Sequence, residues 1–203
     1  QSVPETPEFT EQWITVPITD DALVEGDEDF FLSLSNPQGG YLVQDGALIT
    51  IEDDDTAALA IADLTVPEGA GIAQLVVTTS NLSTTAIQFG YATQPGTAVN
   101  GADFTPVSGT ATLLAGDGQV VIPIPIVSDN LVEGNESFTV LLSSPVGAEI
   151  ERSTATVTIA DDDVAVLAVA DLDFNETSGT VQVDVTLSNP SVFPVTFSYA
   201  TGD

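Results

Sequence analysis

The sequence contains no cysteine, no histidine, no methionine and no lysine, and Arg152 is its one basic residue. Each gap excludes something. Without cysteine there is no disulfide and no thiolate chemistry. Without histidine there is no imidazole metal ligand and no histidine general base. One cation stands against 31 Asp plus Glu, a formal net charge of −30. A chain so poor in Lys and Arg cannot displace counterions from a nucleic-acid backbone, and it has no attraction for an anionic membrane surface. No apolar run approaches the roughly 18 residues that a membrane span requires. Aromatic residues are 6%, too few for a stacking substrate cleft, and without His, Cys or Lys other common mechanisms lack their base or nucleophile. An enzyme is therefore not expected, and a glycosidase-type carboxylate pair would have no cleft to act in. The chain starts at Gln1, as a processed form or an excerpt of a longer protein would. No secretory leader is visible, but processing would have removed one. The single Arg leaves trypsin-like proteases one site, which suits an extracellular setting and also follows from an acidic composition.

What is present is periodic. Apolar residues make up 43%, enough for a buried core. Residues 18–30, ITDDALVEGDEDF, recur at 126–138 as IVSDNLVEGNESF, an offset of 108. At the same offset Asp53-Asp54-Asp55 recurs as Asp161-Asp162-Asp163, Glu68 as Glu176, and Phe89–Thr93 as Phe197–Thr201. Registration over four segments without insertion marks tandem modules. Each module ends at its Asp triplet. The expected division is 1–55, the C-terminal part of one module; 56–163, a complete module; and 164–203, the N-terminal part of a third. The linkers are two residues, Thr56-Ala57 and Val164-Ala165, so neighbours are expected to be held stiffly.

The local pattern is β throughout. Ala155, Val157 and Ile159 alternate with threonines in 154–159, the period-2 mark of a half-buried strand. Further strands are expected at Ala58–Asp63, Ala73–Thr79, Ala86–Thr93, Gly109–Leu114, Gln119–Val127 and Ser137–Ser143. Pro123 and Pro125 within one apolar run point to an edge strand or bulge. The fold class is all-β: an immunoglobulin-like Greek-key sandwich of about seven strands per module, in tandem.

The acids cluster at strand ends. In the complete module they are Glu68, Asp103, the group Asp129, Glu133 and Glu136, and the closing Asp161, Asp162 and Asp163. If these loops share one tip, eight carboxylates repel each other there unless cations intervene. An all-oxygen donor set disfavours Zn²⁺ and Cu²⁺. Crowded carboxylates suit Ca²⁺ better than the strictly octahedral Mg²⁺. The expected cofactor is Ca²⁺, several ions per complete module.

The pattern DxxVEGxExF, followed by an apolar strand and DDD, resembles the Calx-beta domain, a module of sodium–calcium exchangers, an integrin and many microbial surface proteins. Residues 91–104, YATQPGTAVNGADF, resemble that family's Y-x-T-x-x-G-T-A-x-x-G-x-D-[YF] signature. The resemblance implies Ca²⁺ ligands at Glu68, Asp103, Asp129, Glu133, Glu136 and Asp161 to Asp163, with a backbone carbonyl from Leu131. Ser128 departs from the pattern where an Asp is usual, which implies one weakened ion position. In the first piece the implied ligands are Asp20, Asp21, Glu25, Glu28, Asp53, Asp54 and Asp55. In the last piece only Glu176 is present.

The expected role is a structural or adhesive one outside the cell or at its surface, with Ca²⁺ bracing the junction between modules. Ca²⁺ sensing for a transporter or signalling protein is the alternative. The partial modules are nearly complementary, so identical chains are expected to be able to join head to tail by strand complementation. Three Asn-x-Ser/Thr triplets, at Asn81, Asn135 and Asn175, are glycosylation acceptors by motif alone.

Overall fold

The computed structural model describes residues 11–202. Its strands in chain order are β1 (Glu28–Ser33), β2 (Gly46–Ile51), β3 (Ala58–Ile61), β4 (Leu64–Pro67), β5 (Ile72–Thr79), β6 (Ile87–Pro95), β7 (Ser108–Leu113), β8 (Gln119–Pro125), β9 (Glu136–Val146), β10 (Glu149–Arg152), β11 (Thr154–Ala160), β12 (Leu167–Val169) and β13 (Val185–Leu187). Single 3-10 turns follow β4 at Glu68–Ala70 and β12 at Glu176–Ser178.

Strands β3 to β11 build a sandwich. One sheet has the order β10-β3-β5-β8 and the other β4-β11-β9-β6-β7. Alternating side chains of β5, β8 and β11 turn inward, as the pleat requires. The core between the sheets holds Leu59, Leu75, Val77, Ile122 and Ile124 from one side and Phe89, Phe138, Val140 and Val157 from the other, all at most 1% exposed. Pro123 and Pro125 lie on β8, which is an edge strand; its missing amides cost no ladder bonds there.

Two strands go beyond the seven expected from periodicity. The first apolar run divides at Ala62-Asp63: β3 pairs with β5 and β10, then β4 crosses to the other sheet and pairs parallel with β11. Asp63 sits at the crossover. Its carboxylate accepts the Thr156 amide at 2.8 Å and pairs with Arg152 at 2.6 Å. The Thr156 amide, then Arg152, hold the Asp63 carboxyl below the usual range. The second addition, β10, is a short parallel partner of β3.

The flanking pieces repeat the same pairings 108 residues away. β1 pairs with β2 in the register Glu28↔Ile51 to Phe30↔Ile49, and β9 pairs with β11 as Glu136↔Ile159 to Phe138↔Val157. β12 and β13 pair as Leu167↔Leu187, matching Leu59↔Thr79 between β3 and β5. Their apolar side chains are open: Trp13 is 88% exposed, Phe31 66% and Tyr199 90%.

Candidate metal centre

Strand register brings the acids together. β4 and β11 run parallel with Ala160 opposite Pro67, so the next residues, Asp161 and Glu68, emerge side by side. β9 runs antiparallel to β11 with Glu136 opposite Ile159, which sets Glu136 at the same pole. Asp103 arrives from the β6–β7 loop. That loop is stitched to the start of β9: Ala98 donates to the Ser137 carbonyl at 2.9 Å, and Ser137 donates to Thr97 Oγ1 at 2.7 Å. A Cβ on Gly96 would collide with the Ser137 carbonyl, so only glycine permits this approach. Beneath the loop, the rings of Phe104 and Phe138 stack with centroids 4.0 Å apart and an interplanar angle of 12°. The stack ties Asp103, one residue before Phe104, to Glu136, two before Phe138.

Two triads result. Oxygen atoms of Glu68, Asp161 and Asp163 lie within 4.8 Å of one another, as do those of Asp103, Glu133 and Glu136. Backbone amides hold the carboxylates in place. Glu68 accepts the Asp129 amide, and Asp129 the Leu131 amide at 2.6 Å. Asp161 accepts Glu133 N–H at 3.0 Å and Asp163 N–H at 3.1 Å. Asp103 accepts Val99 N–H at 2.6 Å. Asp162 is exposed and falls in neither triad; its Oδ2 faces Gly69, 3.3 Å from where a Cβ would stand. Ser128 and Asp129 are exposed, and Leu131 is half-buried.

The electrostatics are those of uncompensated like charge. Glu68 is only 6% exposed; burial, then Asp129, Asp163 and Asp162, push its carboxyl up against the opposing Asp129 amide. Burial followed by Asp103 raises Glu133. Burial and then the facing Asp103 carboxylate push Glu136 up to about 7. Burial, then Asp161, raise Asp163. Glu136 Oε2 is buried with no hydrogen-bond partner among the described residues. These carboxyls hold protons more tightly folded than unfolded, so the fold gains stability as pH falls from about 7 toward 4.5 and loses it as pH rises. The thermal midpoint, followed by circular dichroism, is expected to fall from pH 5 to pH 8 without calcium and to lose that slope with calcium. A midpoint that rises with pH in calcium-free buffer would contradict it.

The first piece repeats the scaffold. Asp21 accepts Leu23 N–H, Asp53 accepts Glu25 N–H at 2.9 Å and Asp55 N–H at 3.2 Å, the same bonds at the 108 offset. Asp20, Asp21, Glu25, Glu28 and Asp53 to Asp55 line one open concavity of about 880 Å³. Burial, then Glu28, raise Glu25, and burial, then Asp53, raise Asp55. Asp27 was missed in the sequence: its carboxylate accepts the Asp53 amide at 3.2 Å. Its repeat position is Asn135, so the internal comparison concealed it. Glu176 opens its 3-10 turn exposed to solvent.

Residues 6–55 and 51–163 each match the Calx-beta domain. The chain is 30% identical to FRAS1-related extracellular matrix protein 2 of Homo sapiens over 165 residues, which is 74% of this chain and 5% of that protein. It is 27% identical to extracellular matrix protein 3 of Lytechinus variegatus, over 73% of this chain and 5% of that protein. The chain thus spans about a twentieth of the length of these relatives. Among solved structures it resembles the apo Calx CBD1 domain, with a TM-score of 0.51 and 28% identity, over 54% of this chain and all of that one. It also resembles the calcium binding domain CBD12 of CALX1.1, with a TM-score of 0.50 and 29% identity, over 56% of this chain and 50% of that one.

Proposed function

The chain belongs to the Calx-beta domain family, and on that footing we propose that it is a calcium-binding structural stretch of an extracellular or cell-surface repeat protein. In this reading 56–163 is a complete module between the partial modules 1–55 and 164–203. Its metal ligands are Glu68, Asp161 and Asp163 for one ion, and Asp103, Glu133 and Glu136 for another, with Asp129, Asp162 and the Leu131 carbonyl completing the shell. The observation that carries the reading is the meeting of two carboxylate triads at one pole. The buried, unpartnered Glu136 Oε2 supports it, since an orphaned acceptor is costly unless something fills it. All donors are oxygen, which suits Ca²⁺. The groups present are those of a binding module and not of a catalyst.

Titration calorimetry tests the assignment. Ca²⁺ is expected to bind with Mg²⁺ much weaker, and Glu136→Gln is expected to weaken one site by at least tenfold, about 1.4 kcal/mol, with the circular dichroism unchanged. Absence of calcium binding would sink the reading. The affinity also separates roles: Kd values of about 10⁻⁴–10⁻³ M suit a structural extracellular module, and about 10⁻⁷–10⁻⁵ M a sensor.

A finer reading concerns assembly. The flanking pieces present open apolar faces, including Trp13, Phe31, Phe197 and Tyr199. Head-to-tail pairing of identical chains would cover these faces. Light scattering after gel filtration is expected to give multiples of 20.9 kDa that grow with concentration. A monomer at every concentration would refute this assembly while leaving calcium binding intact.

A further inference from the structure

The sequence Ser80-Asn81-Leu82-Ser83 has a counterpart at Ser188-Asn189-Pro190-Ser191, and neither supplies a carboxylate to the triads, although Asn189 Nδ2 donates to Asp163 Oδ1 at 3.3 Å. Both segments do the same thing. Val24, between Leu23 and Glu25 of the acidic loop, donates its amide to the Leu82 carbonyl at 2.8 Å and accepts Thr84 N–H at 2.9 Å. Val132 donates to the Pro190 carbonyl at 2.9 Å and accepts Val192 N–H at 3.0 Å. Each pair is a parallel bridge, Val24↔Ser83 and Val132↔Ser191. At the second junction a Cβ on Gly134 would stand 3.5 Å from the Phe193 ring, so the acidic loop also meets an apolar side chain there.

The rest of the motif fixes the receiving segment to its own linker. Asn81 Nδ2 donates to the Thr56 carbonyl at 2.9 Å, and Asn189 Nδ2 to the Val164 carbonyl at 3.1 Å. Ser80 Oγ accepts Ala58 N–H at 3.0 Å, and Ser188 Oγ accepts Val166 N–H at 2.8 Å. Asn189 precedes Pro190 and is no glycosylation acceptor, yet it makes the same bond as Asn81. The shared Asn is therefore explained by the linker and not by a sugar.

We propose that the Val-Glu-Gly loop of each module is a docking surface whose partner is the Ser-Asn-x-Ser loop of the following copy. The two form a main-chain clasp that fixes module orientation. The clasp needs two backbone bonds, one loop carrying Asn and Ser, and a two-residue linker that keeps the loops within reach. Its side-chain demand is small: Leu82 and Pro190 exchange freely, because only their carbonyls are read. Any two modules carrying both loops fit each other. The inference rests on the module division but not on calcium.

Amide hydrogen exchange on the whole chain, with calcium present, tests it. The amides of Val24, Thr84, Val132 and Val192 are expected to exchange roughly a hundredfold more slowly than free loop amides. Val24→Pro removes one donor and is expected to release Thr84 while the β5 and β8 amides stay protected. Fast exchange at all four positions, with β5 and β8 protected, would overturn the clasp. Calorimetry on the same sample separates the readings. Calcium binding with unprotected junction amides refutes the clasp alone. Protected amides without calcium binding refute the metal assignment alone.

Discussion

Chelating calcium is expected to lower the melting midpoint of the β3–β11 sandwich by roughly 20 °C. Calcium at a hundred times its Kd stabilises a fold by about 2.7 kcal/mol per site. Two occupied sites, one at each triad, would therefore contribute about 5 kcal/mol together. A domain of about 100 residues shifts by at least about 4 °C per kcal/mol. The effect has a second source: without the ion the carboxylates are left facing each other, and Glu68 and Glu136 are those least able to escape into solvent. Excess calcium is expected to restore the midpoint, and magnesium to restore little of it. A scan in chelator that moves the midpoint by only a degree or two would remove the metal from the account of stability.

Phe138→Ala is expected to produce the second large effect. The ring is fully buried and stacked on Phe104, and such truncations cost about 3–5 kcal/mol. Its position makes the substitution informative. Phe104 follows Asp103, and Phe138 lies on the strand that Glu136 begins. Removing the stack loosens the seat of two proposed ligands, so calcium affinity is expected to fall as well. Leu75→Ala is the control. Leu75 is equally buried in the opposite sheet, and its truncation costs about 2–5 kcal/mol with the affinity of the folded protein unchanged. Equal affinity losses in the two variants would mean that stability alone governs binding.

Much of the architecture was legible because the evidence is local. Half-buried strands alternate, and β5, β8 and β11 declare themselves through that alternation. Strands β4 and β10 did not. LTVP and EIER have four residues each, too short for a period to register, and the second is mostly charged. The crossover at Asp63 was invisible because sheet membership depends on long-range pairing. In the site, the internal repeat exposed the acid groups, but not their division into two triads. That division follows from the parallel register of β4 with β11, which no local pattern encodes. The Val24 and Val132 bridges escaped notice for a different reason: main-chain atoms make them, and main-chain atoms have no letter in the sequence.

β4 and β11 pair in parallel. β4 lies near the N-terminal entry to the sandwich and β11 leads out of it. Tension applied across the sandwich from its N-terminal to its C-terminal side pulls β4 toward its start and β11 toward its end. Their ladder of four residue pairs, Val157↔Leu64 to Ala160↔Pro67, is then loaded in shear, so its bonds must yield together. An antiparallel hairpin pulled from its open end unzips one bond at a time. The crossover that splits the first strand thus places a mechanical lock directly in the line of force.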